Sequence, residues 1–123
     1  MTSLSLPIIT TNAPACDHSH ALRVDDTQAE TFAKAFKALG HPVRLQMLDL
    51  IAQGGGETCG CDIEAHFALT QPTISHHLKV MRDAGLITSE ARGVWVYHRV
   101  QAATFADLQA LLSLLAPVPL QAE

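Results

Sequence analysis

Charge is scarce in this chain. Only 16% of its 123 residues are Asp, Glu, Lys or Arg, against 48% hydrophobic, which excludes a disordered polyelectrolyte and leaves enough apolar material for a core. Aromatic residues make up only 5%, in keeping with an ordinary globular profile rather than a fibrous one. No apolar run approaches the ~20 residues of a membrane span, so no membrane segment is expected. The mildly apolar start, Met1 to Ile9, has no basic segment before it, the first positive charge being Arg23, so no secretory signal is read there. Cysteine occurs three times, too few for a disulfide framework. Without a secretion signal, free thiols imply a reducing, cytoplasmic setting, where they serve metals or redox chemistry.

The net charge of −4 argues at first against nucleic acid, but its distribution does not. Between Gln71 and Val100 four basic residues (Lys79, Arg82, Arg92, Arg99) face two acidic ones (Asp83, Glu90), while the rest of the chain is strongly acidic. A DNA surface needs a local positive patch rather than a basic protein.

Length and pattern give one domain. Residues 1–24 carry two prolines and no helical period, and read as a flexible arm; 25–116 form the domain; 117–123 are a tail. Acidic Asp25 and Asp26 suit a helix start, with Phe32, Phe36 and Leu39 on one face and Gly40 as the stop. Pro42 opens a second helix whose expected buried stripe is Leu45, Leu48 and Ile51, ended by Gly54-Gly55-Gly56. Asp62 to about Ala68 reads as a short third helix. Gln71 to Ala84 reads as a fourth, closed by Gly85, with Ile74, Leu78 and Met81 inward. The period then changes to two. Leu86–Ala91 and Val94–Val100 are expected to pair as a hairpin turning at Arg92-Gly93, and Thr104 to Leu115 forms a last apolar helix. The fold class is mainly α with a small β-hairpin, in the order of a winged helix-turn-helix, which sets one helix in the major groove and one loop on the backbone.

Phe36-Lys37-Ala38-Leu39-Gly40-His41-Pro42-Val43-Arg44-Leu45, then Gln71-Pro72-Thr73-Ile74-Ser75-His76-His77-Leu78-Lys79, then Ala84-Gly85-Leu86-Ile87 closely resemble the ArsR/SmtB family of bacterial metal-sensing repressors. The resemblance spans about residues 30 to 115. It implies a homodimer, joined through the first and last helices, that binds operator DNA; Phe105, Leu108, Leu111, Leu112 and Leu115 fit the joining face. Gln71, Thr73, Ser75, His76, His77, Lys79 and Arg92 are the expected DNA contacts, some to phosphates and some to base edges. Nothing suggests an enzyme: no oxyanion loop or substrate pocket is legible.

Cys59-Gly60-Cys61-Asp62 stands at the mouth of the third helix. In an extended segment residues i and i+2 project to one side, so both sulfurs can reach one ion, and the helix N-terminus favours thiolates. The pattern looks like the family's metal box. Cys16, in the arm beside Asp17, His18 and His20, is the natural third ligand, expected to come from the partner chain. Three thiolates suit As(III) or Sb(III); Cd(II), Pb(II) or Zn(II), with a histidine added, is the alternative, and a thiol redox signal a lesser one. The family's other site, on the last helix, is not expected, because Asp107-Leu108-Gln109 lacks its histidine and none follows His98.

Overall fold

The computed structural model describes residue 16, residues 18–117 and residue 119. Helix α1 (Asp26–Leu39) starts where Asp25 accepts a hydrogen bond from the Gln28 backbone N–H while the Gln28 side chain accepts from the Asp25 N–H. This reciprocal capping satisfies two donors that a helix start leaves orphaned. In α2 (Pro42–Ala52) the cap is His41, whose Nδ1 accepts from the Val43 N–H at 3.1 Å, with Pro42 in the first turn. Strand β1 (Thr58–Cys59) and α3 (Gly60–His66) follow. Helix α4 (Gln71–Asp83), capped by Thr70, ends in a Schellman turn: Leu86 N–H donates to Met81 C=O at 2.9 Å and Gly85, at φ +79°, to Arg82 C=O at 3.0 Å. Strands β2 (Ile87–Arg92) and β3 (Trp95–Val100) form the wing, and α5 (Ala102–Leu115) closes the fold.

The wing is wider than the sequence suggested. The sheet has three antiparallel strands in the order β1-β3-β2, with Cys59 opposite Tyr97 and Thr58 opposite His98. Two residues are too few to show an alternating pattern, so β1 leaves no periodic signal. The hairpin turns at Gly93-Val94, with Arg92 opposite Trp95, one residue beyond the expected Arg92-Gly93. Gly93 takes φ +62°, a backbone that glycine adopts without steric cost.

Met47 and Ile51 of α2, Ile63 of α3, Met81 of α4, and Leu86 and Ile87 are the fully buried heart of the core. The inward face of α4 is Ile74, Leu78 and Met81, as expected, whereas α2 departs from expectation. Leu45 is 52% exposed, and Met47 joins Leu48 and Ile51 instead. The helix is apolar around much of its circumference, so the 3.6-residue period alone could not choose the inward face. Helix α5 buries only Leu108 fully; Leu112 and Leu115 are 52% and 63% exposed. No helix among the described residues is long and apolar enough to cross a membrane.

Candidate nucleic-acid interface and thiol site

The start of α4 is built to stand proud. Thr70 caps it, accepting from the Thr73 N–H at 3.4 Å, and Pro72 needs no partner in the first turn. Gln71, Thr73, Ser75, His76 and Lys79 all lie exposed on this helix. Its outward face is therefore polar over two turns, with Gln71 Nε2 resting on Glu64 at 3.1 Å and Lys79 on Asp83 at 2.7 Å. The Lys79 ammonium holds the Asp83 carboxyl below its usual pKa. Both groups are exposed, so this i,i+4 pair is worth little and can open.

His77, expected among the DNA contacts with His76, is buried in the chain, unlike its neighbour. It is 8% exposed and sits behind α4, where Arg44 Nη1 donates to its Nδ1 at 3.2 Å and the His41 ring lies 4.6 Å away. One residue along a helix is ~100° around it, so His76 and His77 cannot both face out. Burial, then the neighbouring His41 and Arg44, push the His77 pKa down, keeping it neutral. The enclosed imidazole joins α4 to α2 through Arg44 and His41.

Arg92, the expected contact at the wing, is engaged within the chain. Its guanidinium grips Glu57 with both ends, at 2.6 and 2.7 Å, touches Glu90 at 3.0 Å and lies 4.6 Å over the Tyr97 ring. Arg99 reaches the same Glu57 carboxylate at 2.9 Å. Hydrogen bonds from Arg92 and then Arg99 pull the Glu57 pKa down to about 2, and Glu57 in turn raises that of Arg92. A bidentate pair spends the fork that a phosphate would need. Arg92 fastens the wing to the segment before β1, and Val94 is left exposed at the tip.

The thiols lie beside that junction. Cys59 ends β1 and caps α3, and Cys61 stands in the first turn of α3, a helix that starts two residues earlier than expected. The two sulfurs do meet, though by a strand-to-helix corner rather than one extended segment. Cys61 N–H donates to Cys59 Sγ at 3.1 Å, and the residues, Cα atoms 5.1 Å apart, are paired as a disulfide. Both are half-buried. Gly60 packs tightly on the wing: a Cβ there would lie 3.3 Å from the Val96 carbonyl oxygen and 3.8 Å from His98 Nε2. His98, 3% exposed, pairs through Nδ1 with Ser89 Oγ at 2.8 Å, and burial lowers its pKa.

Cys16 is free and exposed, as are His18 and His20 on the same segment. Among the described residues of one chain, no group of three Cys, His, Asp or Glu side chains comes together as a ligand cluster. Two sulfurs are thus preassembled and the third expected ligand is not with them. The rest of the expected arm, residues 1–15 and 17, lies outside the described residues, as do residues 118 and 120–123 of the tail.

The sequence pattern of the bacterial regulatory proteins of the arsR family matches residues 41–89. The arsenical resistance operon repressor of Bacillus subtilis (strain 168) is 41% identical over 78 residues, covering 61% of this chain and 73% of the repressor. The transcriptional repressor SdpR of the same organism is 38% identical over 72 residues, 58% of this chain and 78% of SdpR. Among solved structures, the homodimeric winged helix-turn-helix domain of a possible ArsR-family regulator from Mycobacterium bovis superposes with a TM-score of 0.61 at 28% identity, covering 80% and 89% of the two chains.

Proposed function

The chain belongs to the ArsR family of DNA-binding bacterial transcriptional regulators, not enzymes, and from that premise we propose that it is a homodimeric repressor whose operator is released when As(III) or Sb(III) binds its cysteines. The observation that carries the metalloid reading is the Cys59–Cys61 pair: two sulfurs already in contact at the foot of α3. The names of relatives lend support, several being arsenical resistance repressors. In the reduced chain the pair offers two converging thiolates, and trivalent arsenic supplies a thiophilic centre for three.

Cys16 is the third donor, and it comes from the partner. It is exposed within its own chain and precedes α1. Helices α1 and α5 leave a groove of about 500 Å³ lined by Phe32 and Leu111, and α5 carries exposed Leu112 and Leu115, a face that a second copy would cover. Ligation at the corner of β1 and α3 acts on two elements at once. Strand β1 is hydrogen-bonded to the wing, and α3 precedes the recognition helix α4. Two recognition helices must match half-sites one DNA turn, ~34 Å, apart, so a small rotation spoils both. The coupling is the difference in ligand affinity between the two states, typically ~1–3 kcal/mol.

A second reading has its own support. Cys59 and Cys61 paired as a disulfide is the arrangement a thiol redox sensor would use. Cd(II), Pb(II) or Zn(II) would use the same cysteines with a histidine such as His18 or His20. Operator release by the reduced protein tests the first reading. Arsenite should release DNA from the wild type and not from Cys59→Ser/Cys61→Ser. Release by that folded double variant would refute the metalloid site. Release of the wild type by mild oxidant, with no response to arsenite, would favour the redox signal.

A further inference from the structure

One cation of the patch on α4 and the wing has no ion-pair partner among the described residues. Of the four basic residues on α4 and the wing, Lys79 pairs with Asp83, and Arg92 and Arg99 both pair with Glu57. Arg82, exposed on the last turn of α4, has no described carboxylate within ion-pairing distance. Among the described residues its one side-chain bond is from Nη1 to Ser89 Oγ at 3.4 Å. A guanidinium has five N–H donors, so most of its capacity is open.

The local hydrogen bonds fix where that guanidinium sits. Ser89 Oγ accepts from Arg82 and also pairs with His98 Nδ1, at 2.8 Å. His98 is held neutral by burial, with the nearby Arg82 charge adding to the effect. Ser89 is thereby anchored between the wing and α4, and Arg82 is held over the space between them. That space is a cleft of about 280 Å³, walled by Gln71, Ser75 and Arg82 of α4, by Glu64 of α3, whose carboxylate holds the Gln71 amide, and by Val94, Trp95 and Val96 of the wing.

We propose that this cleft seats the DNA sugar-phosphate strand, and that Arg82, not Arg92, is the principal phosphate anchor beside the wing. This role for Arg82 rests on α4 being the helix that enters the major groove. A winged helix places that helix in the major groove and its hairpin at the neighbouring minor groove. The strand dividing two adjacent grooves must then cross between helix and hairpin. Charge decides which residue meets it. Arg82 brings a positive charge in no close ion pair among the described residues, with most of its donors free, and Ser75 Oγ adds a neutral donor on the same wall, while the Glu64 carboxylate there is taken up by the Gln71 amide. Opposite them Val94 and Trp95, both exposed, offer apolar surface to deoxyribose. Arg92 would have to abandon two bonds to Glu57 and its seat on Tyr97 before reaching a phosphate.

Phosphate binding is independent of sequence, so the test needs no operator. The reduced full-length protein is titrated with a mixed-sequence duplex about three helical turns long, read by fluorescence anisotropy between about 50 and 200 mM salt. Arg82→Gln removes the charge but keeps a donor for Ser89. It should weaken binding about tenfold and reduce the salt slope by ~0.9 for each phosphate no longer neutralised, or about twice that per dimer. Arg82→Lys should restore most of the slope, and Arg92→Gln should leave it near wild type. An unchanged slope in a folded Arg82→Gln, checked by thermal melting, overturns the proposal. So does a slope reduced in Arg92→Gln alone. If the wild type binds no duplex, the DNA-facing role of α4 fails first, and that is visible before any variant is compared.

Discussion

Mild acid should loosen this fold through two histidines. His77 is wedged between α2 and α4 under Arg44 and His41, and His98 is enclosed between the wing and α4 with Ser89 and Arg82. Burial lowers both pKa values below the ordinary 6.5, with nearby charge adding to it. A folded pKa below the unfolded one gives stability that is complete above about 6.5 and is lost as pH falls toward the folded value, because the unfolded chain takes up protons that the folded one refuses. Each such group can tilt the stability by at most about 1.4 kcal/mol per pH unit, so the two together give at most about 2.8 over one pH unit. Against a total of about 5–15 kcal/mol that is a large share. Urea unfolding followed by circular dichroism, at one protein concentration and at several values between about pH 7.5 and 5.5, measures it directly. The midpoint should fall steadily with pH. His77→Gln keeps an acceptor for Arg44 but cannot titrate, so it should flatten part of the slope, and adding His98→Gln should remove most of the rest. Stability that is flat or rises as pH falls, or a full slope in the folded double variant, would refute the reasoning.

Three further outcomes follow from the packing and charge. Met81→Ala, at a fully buried position on the core face of α4, should cost ~2–5 kcal/mol in urea unfolding. Leu112→Asp/Leu115→Asp should turn a dimer into a folded monomer by sedimentation, since both side chains are exposed in the single chain; an unaltered dimer would place the interface elsewhere. The Glu57 carboxyl, lowered to about 2 by Arg92 and Arg99, contributes stability above pH ~4.5 that is lost as pH drops toward 2. Glu57→Gln should accordingly be less stable at neutral pH and lose less of its stability over that acid range.

Several helix ends were legible because caps are local chemistry, although α3 and α5 each start two residues before the expected position. Asp25, Pro42, Gly40 and Gly85 each act within a few residues of themselves, and each stands where the sequence pattern put it. The inward face of α4 was legible because its opposite face is polar. Where both faces are apolar, as in α2, the period could not single out Met47 over Leu45. The remaining departures are long-range. Strand β1 exists only because β3 lies beside it. Arg92 is held by a carboxylate 35 residues earlier in the chain, so its apparent freedom at a hairpin was a local impression. His77 is drawn inward by Arg44, 33 residues away, although its neighbour His76 stays in solvent. Arg82 was visible as a charge, but its distinction came only from the pairing of the other three cations of α4 and the wing.

Ligand binding at the cysteines and release of DNA should be one event. A single titration of the reduced, DNA-bound protein with arsenite, following sulfur–arsenic absorbance and duplex anisotropy in the same cuvette, tests this most directly. Absorbance should rise as anisotropy falls, over the same range of arsenite, and both should end at one arsenic per chain, with neither change in Cys59→Ser/Cys61→Ser. Sulfur–arsenic absorbance that saturates while the duplex stays bound, or release without that absorbance, would contradict the metalloid-responsive mechanism.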